Sequence, residues 1–478
     1  MTDILILITA LSLVIHTLIC LTFFISCIRE KERRASAFGG LQLAVPLGLL
    51  GLFFYLKGLE FFDSKYGMAA LVVGVFFTAL TPLLLVMKTS RNNKALAGTK
   101  GLIIGSVQRF DERETVFSRN RALRPGSEQY QRFYAQHPQY EEYDTARRKL
   151  GGPVGKPGLI DKPHEKPNLA ASVASVNFSL HLSVPEIVTP RGYSGFKGER
   201  ISLSPKEATE RVKGFGRHLG AGLIGMTEID PSWIYSHRGE IFHRNWQDWG
   251  REIDLNHKYA VVFTTEMSFE MIAAAPHTPT SIESRIQYAK GAAIATQLAA
   301  FIANLGYAAT ANHFRHYDLL LVPAAVDAGL GEMGRFGYLI TKKFGPRVRL
   351  AAVTTDLPLI PDKPVDIGVE DFCRDCKKCA ICCPSNSIAM EDQTEVNGSL
   401  RWKLNEETCF EYWGKVGTGC NICMRVCPWS HAGTLPHQLI KILVSRNRMA
   451  RSLFTTMDDI FYGKKPKPKE PPAWAKFN

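Results

Sequence analysis

Twelve residues of this chain read Cys373-Arg-Asp-Cys376-Lys-Lys-Cys379-Ala-Ile-Cys382-Cys383-Pro384 and contain five cysteines. A second group follows as Cys409 and then Cys420-Asn-Ile-Cys423-Met-Arg-Val-Cys427-Pro428. Together the two groups hold nine of the eleven cysteines in a chain of 478 residues. Because so many thiols lie in one short region, the pattern predicts a metal site and not a disulfide framework.

The spacing of the first group is the C-x2-C-x2-C-x3-C-P run of two-cluster ferredoxins, in which three thiolates hold one 4Fe–4S cluster and the fourth reaches the other. The second group is interpreted as a second copy of this cysteine motif, in which an insertion has moved the first cysteine upstream. Structural zinc sites seldom carry such a run with proline after the fourth ligand. Residues 366–432 are therefore predicted to form a bacterial-ferredoxin-like module that moves electrons. Crossed ligation predicts Cys373, Cys376, Cys379 and Cys427 as ligands of one cluster, and Cys383, Cys409, Cys420 and Cys423 as ligands of the other.

Cys382 is left over by this assignment. A free cysteine is more often a small buried apolar residue than a ligand, so we expect Cys382 to play that part.

Three apolar stretches near the N-terminus, residues 4–28, 39–55 and 68–87, have about the length needed to cross a bilayer. The connection 29–34 and the sequence after residue 87 are basic, whereas the connection 60–65 is not. The positive-inside rule then places the N-terminus outside and everything beyond residue 88 in the cytoplasm. We predict a multi-pass protein of the cell membrane, with a three-helix transmembrane anchor over residues 1–88.

The net charge of +13 is concentrated beside these stretches and in the C-terminal tail. That placement favours charges that flank a membrane over a nucleic-acid surface, so we expect no nucleic-acid partner. His16 lies within the first stretch and allows two interpretations, a packed polar residue or a ligand of a haem or quinone. We favour the packed residue because no partner stands at helical spacing.

The middle of the chain divides by composition. Residues 89–200 are rich in Arg, Gly, Pro and Tyr, which predicts an extended segment that wraps over a domain surface. Residues 201–365 show helical periodicity at 205–219 and 281–305 and strand patterns at 222–227, 259–264 and 348–354. The alternation indicates an α+β core. Residues 433–478 remain as a C-terminal helix and basic tail.

Four segments outside the cysteine groups carry a family resemblance. They are Arg109-Phe-Asp-Glu-Arg-Glu-Thr-Val-Phe-Ser-Arg-Asn-Arg121, Ala328-Gly-Leu-Gly-Glu-Met-Gly-Arg-Phe-Gly-Tyr-Leu-Ile-Thr341, Phe344-Gly-Pro-Arg-Val-Arg-Leu350 and Thr354-Thr-Asp-Leu-Pro-Leu359. With the cysteine groups, they resemble the cobalamin-dependent reductive dehalogenases over about residues 105–430. The resemblance implies a base-off cobalamin in a nitroreductase-like α/β domain beside one 4Fe–4S cluster. It also implies that the glycine-rich segment contacts the corrinoid, through Gly329, Gly331, Arg335 and Gly337.

The same resemblance implies the catalytic residues. In that family a tyrosine protonates the substrate carbon while a nearby Arg or Lys keeps the phenol acidic, and the matching positions are Tyr288 and Arg347. Arg349 competes with Arg347 for this part. A family asparagine that lines the pocket falls near Asn312 or His316, and the sequence leaves the choice open.

The activity implied is the removal of halide from an aryl or alkenyl organohalide, with electrons that arrive from a quinol or membrane partner, as in organohalide respiration. Family members usually carry a twin-arginine leader and pair with a separate three-span anchor, whereas here we expect the anchor to be fused. Two rivals remain open, a relative of epoxyqueuosine reductase and a membrane-anchored iron–sulfur electron carrier. A homodimer is also left open.

Overall fold

The computed structural model describes residues 2–87, 91–152, 165–192, 200–241 and 246–476. The chain forms two compact units. One comprises Met1–Asn92 with His431–Pro466, and the other comprises Asn93–Ser430 with Lys467–Asn478. Each unit is thus assembled from segments that lie far apart in the sequence.

The N-terminal part begins with helices α1 (Thr2–Arg29) and α2 (Arg33–Gly58), which are long and apolar enough to cross a membrane. Most of their large apolar side chains are exposed, which is typical of helices that face lipid. The third apolar stretch forms a shorter α3 (Lys65–Val75), a π-helical turn (Phe76–Leu80) and α4 (Thr81–Val86). Where the sequence predicts three spans, the described residues therefore form two helices of spanning length. Pro82 lacks a backbone N–H, which explains an irregular turn just before it.

The segment before the central sheet contains more helix than its composition predicts. Thr115 and Ser127 cap two of these helices by accepting backbone N–H groups, which explains why helices begin there. The described part of the segment is therefore a series of short helices and not an extended strap. The helices are α5 (Asn93–Leu96), α6 (Val116–Arg121), α7 (Glu128–Gln136), α8 (Glu141–Leu150), α9 (Glu165–His181) and α10 (Pro185–Val188).

The core of the second unit is an antiparallel four-stranded sheet. It follows α11 (Pro205–His218), whose start is fixed by a capping box between Ser204 and Glu207. The strand order is β1-β2-β6-β3. The strands and associated helices are β1 (Leu223–Glu228), β2 (Tyr259–Glu266), α12 (Phe269–Ala273), α13 (Thr278–Asn304), β3 (Ala309–Asn312), α14 (Leu321–Asp327), β4 (Glu332–Met333), β5 (Leu339–Ile340) and β6 (Val348–Thr355).

Helices cover both faces of this sheet. On one face, Val261 and Val353 pack against Leu298 of α13 in the largest apolar cluster. On the other face, Val262 packs with Ala325 of α14. The sheet is buried on both sides, so strands β1, β2 and β6 are nearly continuous apolar runs in the sequence. These runs are the signal that predicts the strands. The sequence predicts α11, α13 and these three strands, and the structure confirms them.

The cysteine-rich part is built of short elements. They are α15 (Val369–Cys376), α16 (Lys378–Ile381), β7 (Thr394–Val396), β8 (Ser399–Arg401), α17 (Glu406–Val416) and α18 (Ile422–Arg425). Strands β7 and β8 form a hairpin whose turn residues Asn397 and Gly398 both have positive φ, of 50° and 71°. The backbone N–H of Ile104 donates to the carbonyl of Gly398, which ties the start of the unit to this hairpin.

Two further helices, α19 (Leu435–Arg446) and α20 (Arg448–Tyr462), belong to the first unit. Helix α19 packs against α1, and α20 packs against α2. The C-terminal segment is therefore part of the same body as the N-terminal apolar helices.

Candidate active site

The cysteines gather into two sets. In the first, Cys379 lies in α16 and has the thiols of Cys373, Cys427 and Cys376 as neighbours. Burial raises the pKa of Cys379 well above its ordinary value, and these thiols raise it further. Thiols bind iron only as thiolates, so a cationic cluster would supply the charge that a buried set of thiolates needs. The donor set of the first group therefore fits a 4Fe–4S cluster.

The second set consists of Cys383, Cys409, Cys420 and Cys423, which line one cavity together with Phe336 and Tyr338. Burial is the main cause that raises the pKa of Cys409 to about 11 and that of Cys420 to about 12. Cys423 also has Cys379 of the first set among its neighbours, so the two sets are adjacent. Cys382 lies instead near the guanidinium of Arg425.

Arg335 supports the first set and is fully buried. Its guanidinium donates to the carbonyl oxygens of Cys373 at 3.0 Å, Ala389 at 2.7 Å and Glu391 at 2.7 Å. All the described acceptors of its hydrogen bonds are backbone carbonyls. Arg335 is therefore placed to hold the cysteine loop. The family resemblance implies a contact with the corrinoid instead.

The glycines of the predicted corrinoid segment are required by backbone packing. Gly329 has φ of 72°, and a Cβ there would lie 2.4 Å from the carbonyl oxygen of Lys363. A Cβ on Gly331 would lie 2.2 Å from the carbonyl oxygen of Ile340. Any side chain would force these backbone segments apart. The segment continues through Gly337, with φ of 77°, to Tyr338 at the cavity of the second cysteine set.

Tyr288 lies on α13 and is stacked on Phe314, with ring centroids 4.4 Å apart and an interplanar angle of 15°. The guanidinium of Arg349 lies over the Tyr288 ring, 4.9 Å from its centroid. Arg349 also donates to Ser284 Oγ at 2.9 Å. Of the two arginines that the sequence cannot separate, Arg349 is the one beside the tyrosine.

Arg347 points elsewhere. Its guanidinium donates to Glu266 Oε1 at 3.1 Å, to the Met267 carbonyl at 2.6 Å and to the Ser430 carbonyl at 2.9 Å. Arg347 precedes β6, and its own carbonyl accepts from the N–H of Met267, so its backbone is tied to the end of β2. These contacts indicate a structural part for Arg347.

Half-buried aromatic residues lie around Tyr288. The side chains of Phe314, Tyr317 and Tyr338 are half-buried, as is His316. Burial lowers the pKa of His316 to about 4 and raises the pKa of Tyr317 and of Tyr338, and the charge of Tyr288 acts on both of these phenols.

Tyr338 lies near both Tyr288 and the second cysteine set. The charges that act on its phenol, after burial itself, come from Cys409, Cys423, Arg349 and Tyr288. The tyrosine therefore lies between the thiols and the Tyr288–Arg349 pair.

Three further arginines lie near Tyr288 or its ring partner Phe314. Burial, together with the neighbouring Arg349 and Arg121, lowers the pKa of Arg285 to about 10. Burial, with Arg121 and Arg285 among the neighbours, lowers the pKa of Arg315 to about 9. The charge of Glu240 acts on Arg315, and Glu240 Oε1 lies 3.0 Å from Arg121 Nη1. Several guanidinium groups therefore lie close together near Tyr288.

Asn312 and His316 take different places. Asn312 is fully buried, and its Oδ1 accepts the N–H of Asp318 at 2.7 Å, so it holds the turn after β3. His316 is half-buried and lies two residues after Phe314.

Sequence reasoning missed several residues of this site. Arg285 stands three residues before Tyr288, a spacing that places both on one face of a helix, so it could have been found. Tyr338 directly follows the glycine segment. Phe314 and Arg315 give no periodic signal, since they lie in the irregular connection after β3.

Comparison with known proteins shows which proteins this chain is similar to. A family model described as "4Fe-4S dicluster domain" matches residues 372–431. The tetrachloroethene reductive dehalogenase of Sulfurospirillum multivorans is 32% identical over 373 residues, which cover 68% of this chain and 74% of that protein. The enzyme of the same description from Dehalobacter restrictus is 35% identical over 282 residues, or 50% of this chain and 51% of that protein.

A solved structure of the catabolic reductive dehalogenase NpRdhA has a TM-score of 0.61 at 27% identity, covering 76% of this chain and 48% of that one. The chain spans about half the length of the first curated relatives it matches. The match to the Sulfurospirillum protein covers more than two thirds of both sequences. On that likeness and on the shared fold, the chain belongs to the reductive dehalogenase family.

Proposed function

We propose that the protein is a membrane-anchored reductive dehalogenase. The reaction breaks a carbon–halogen bond and forms a carbon–hydrogen bond, so each organohalide takes two electrons and one proton and releases one halide ion. The observation that carries the proposal is the Tyr288–Arg349 pair, which lies near Tyr338, a residue that lines one cavity with the second cysteine set.

The two cysteine sets are proposed to hold two 4Fe–4S clusters that relay single electrons. The ligands would be Cys373, Cys376, Cys379 and Cys427 for the first, and Cys383, Cys409, Cys420 and Cys423 for the second. The second set would deliver electrons towards Tyr288, because Tyr338 lines one cavity with these cysteines and also lies near Tyr288.

A corrinoid is proposed to bind beside Tyr288. The half-buried aromatic rings of Phe314, Tyr317 and Tyr338 suit a flat macrocycle, and His316 is neutral because burial lowers its pKa. A bound cobalamin would supply a strongly reducing cobalt centre at this point. Gly329, Gly331 and Gly337 would shape the wall that ends at Tyr338, and Arg335 would hold the adjoining cysteine loop.

Tyr288 is proposed to donate the proton to the carbon that loses the halogen. As its phenol releases the proton, negative charge develops on the oxygen, and the guanidinium of Arg349 stabilises that charge. Stacking on Phe314 restrains the orientation of the Tyr288 ring. Arg349 takes the part that the resemblance assigns to Arg347.

The substrate is proposed to be an aryl or alkenyl halide, and the arginines favour one that carries negative charge. Arg285, which is buried, and Arg349 place two guanidinium groups beside Tyr288. An anionic group on the substrate would compensate their positive charge, because the desolvation of a buried cation is costly. One solved relative is described in complex with 3-bromo-4-hydroxybenzoic acid, a molecule of this kind.

The membrane part is proposed to be a three-span anchor with the N-terminus outside and the catalytic domain in the cytoplasm. The support is the pair of long apolar helices α1 and α2 and the basic sequence between and after the apolar stretches. A quinol or a membrane protein would then be the electron donor.

The test uses the full chain, purified anaerobically from membranes in detergent. Cobalt, iron and sulfide are measured, and halide release is followed with reduced methyl viologen and a panel of chlorinated ethenes, halophenols and halobenzoates. The proposal expects bound cobalt and two oxidised viologen radicals for each halide released. Iron and sulfide without cobalt, and no halide from any compound, would leave an electron carrier instead.

A further inference from the structure

We infer that Glu30, His431 and His437 bind a divalent transition-metal ion, of the Zn²⁺ class. One oxygen of the carboxylate and one nitrogen of each imidazole all lie within 4.8 Å of one another. All three residues belong to the first unit of the fold. The inference is independent of the proposed dehalogenation, because none of these residues lies among the cluster ligands or around Tyr288.

The three residues come from distant parts of the chain but meet in a buried place. Glu30 directly follows α1, His431 follows the turn after Pro428, and His437 lies in the first turn of α19. Their side chains are 6%, 17% and 4% exposed, respectively. Burial distinguishes this group from the exposed acidic clusters that occur on most protein surfaces.

Each imidazole is held by a second residue, which comes from α20. His431 Nε2 lies 2.6 Å from Asp458 Oδ1, and His437 Nε2 lies 2.8 Å from the hydroxyl oxygen of Tyr462. When Nε2 donates in both rings, Nδ1 is the nitrogen that can bind a metal. A carboxylate that orients a histidine in this way is the usual outer support of a metal ligand.

The stacking of the two imidazoles favours a metal over a network of ion pairs. The rings of His431 and His437 are 4.9 Å apart with an interplanar angle of 20°, and the Tyr462 ring lies 4.0 Å from His431. Two protonated imidazoles at this distance would repel each other in a buried site. A metal ion binds both imidazoles in their neutral form. The positive charge is then that of the ion alone, which lies beside the Glu30 carboxylate.

The donor set indicates the type of ion. Two imidazoles and one carboxylate form the His₂Glu combination that binds zinc in many enzymes, and a fourth position stays open for water. Hard ions such as Mg²⁺ and Ca²⁺ prefer sets made of oxygen atoms only. His437 Nδ1 also lies 2.7 Å from Thr434 Oγ1 and 3.7 Å from Glu30 Oε1, so the threonine hydroxyl has to turn when an ion binds.

The ion would join the end of α1 to the segment that follows the cysteine-rich part. Glu30 and His431 are separated by about 400 residues of chain, and a metal that closes so long a loop restricts the unfolded chain strongly. The site would fasten the C-terminal helices α19 and α20 to the N-terminal apolar helices. The metal site therefore has a structural role. One of its ligands, His431, lies four residues after the predicted cluster ligand Cys427.

The test measures zinc and iron in the full chain purified in detergent from cells grown with zinc. We expect about one zinc ion per chain in the wild type and less than about a tenth of that in Glu30→Gln and His437→Ala, with iron unchanged. The matched control is His218→Ala, which removes an exposed histidine of the other unit and should keep the zinc. Asp458→Asn keeps the ligands and should weaken zinc binding about tenfold or more.

A second measurement covers variants that fold poorly. Chelator-treated wild-type protein is melted with and without added Zn²⁺, which should raise its Tm, while Glu30→Gln should show no rise. Wild-type protein that holds no divalent metal and gains no thermal stability from Zn²⁺ would overturn the inference. Zinc that stays bound in Glu30→Gln and His437→Ala would overturn it as well.

Discussion

Replacing Arg349 by glutamine should slow dehalogenation without loss of cofactors. The guanidinium lies 4.9 Å from the centre of the Tyr288 ring. Two unit charges about 5 Å apart interact by about 3 kcal/mol at an effective dielectric constant of about 20. If this energy acts on the charge that develops as the phenol gives up its proton, its loss lowers kcat by about two orders of magnitude.

The assay is the steady-state rate of halide release with reduced viologen, normalised to the cobalt and iron in each preparation. Arg349→Lys keeps the charge and should lose less than about tenfold. The matched control is Arg347→Lys, two residues away. It weakens the contacts of Arg347 to Glu266 and to two backbone carbonyls, so it should lower Tm and leave kcat of the folded enzyme nearly unchanged.

The opposite pattern would refute this reasoning. If Arg349→Gln keeps kcat within about twofold of the wild type while Arg347→Lys loses about a hundredfold at equal cofactor content, then Arg347 is the residue that assists proton transfer. The contacts at Tyr288 would then have no catalytic meaning.

Cys383→Ser should lose about half of the iron because it removes one of four ligands of a cluster, whereas its neighbour Cys382→Ser should keep all of it, as measured by iron content and electron paramagnetic resonance. Asp144→Ala should lower the free energy of unfolding by about 3–5 kcal/mol, seen in anaerobic thermal melting, because Asp144 is fully buried and its Oδ2 accepts from Arg119 Nε at 3.0 Å. Burial raises the pKa of Glu112 from 4.5 to about 7 in the folded protein, so the folded state binds an extra proton between these values. The contribution of Glu112 to the free energy of unfolding is complete below pH 4.5, falls by about 3 kcal/mol between pH 4.5 and 7, and stays constant above that range. Glu112→Gln should remove this part of the dependence of Tm on pH, and an unchanged slope would contradict the assignment.

Much of the fold could be predicted because its signals are local. The capping residues Ser204 and Glu207 and the apolar runs of β2 and β6 determine elements within a few residues of themselves. The helices between α5 and α10 were harder to predict, because they depend on single caps and have little periodicity of their own. The third apolar stretch has the composition of a membrane span, but the π-helical turn before Pro82 interrupts its α-helix. The apolar composition alone does not predict that interruption.

The candidate site also has residues that the sequence predicts and residues that only the fold brings together. The cysteine pattern and the iron–sulfur module could be predicted from the order of residues alone, because cluster ligation requires thiols at set intervals along the chain. Tyr288 was identified through the family resemblance. The choice of Arg349 over Arg347 needed the folded arrangement, and so did the meeting of Arg285, Arg315 and Tyr338. Each of these depends on where β6, α13 and the connection after β3 come together, and contacts between distant segments leave no local pattern in the sequence.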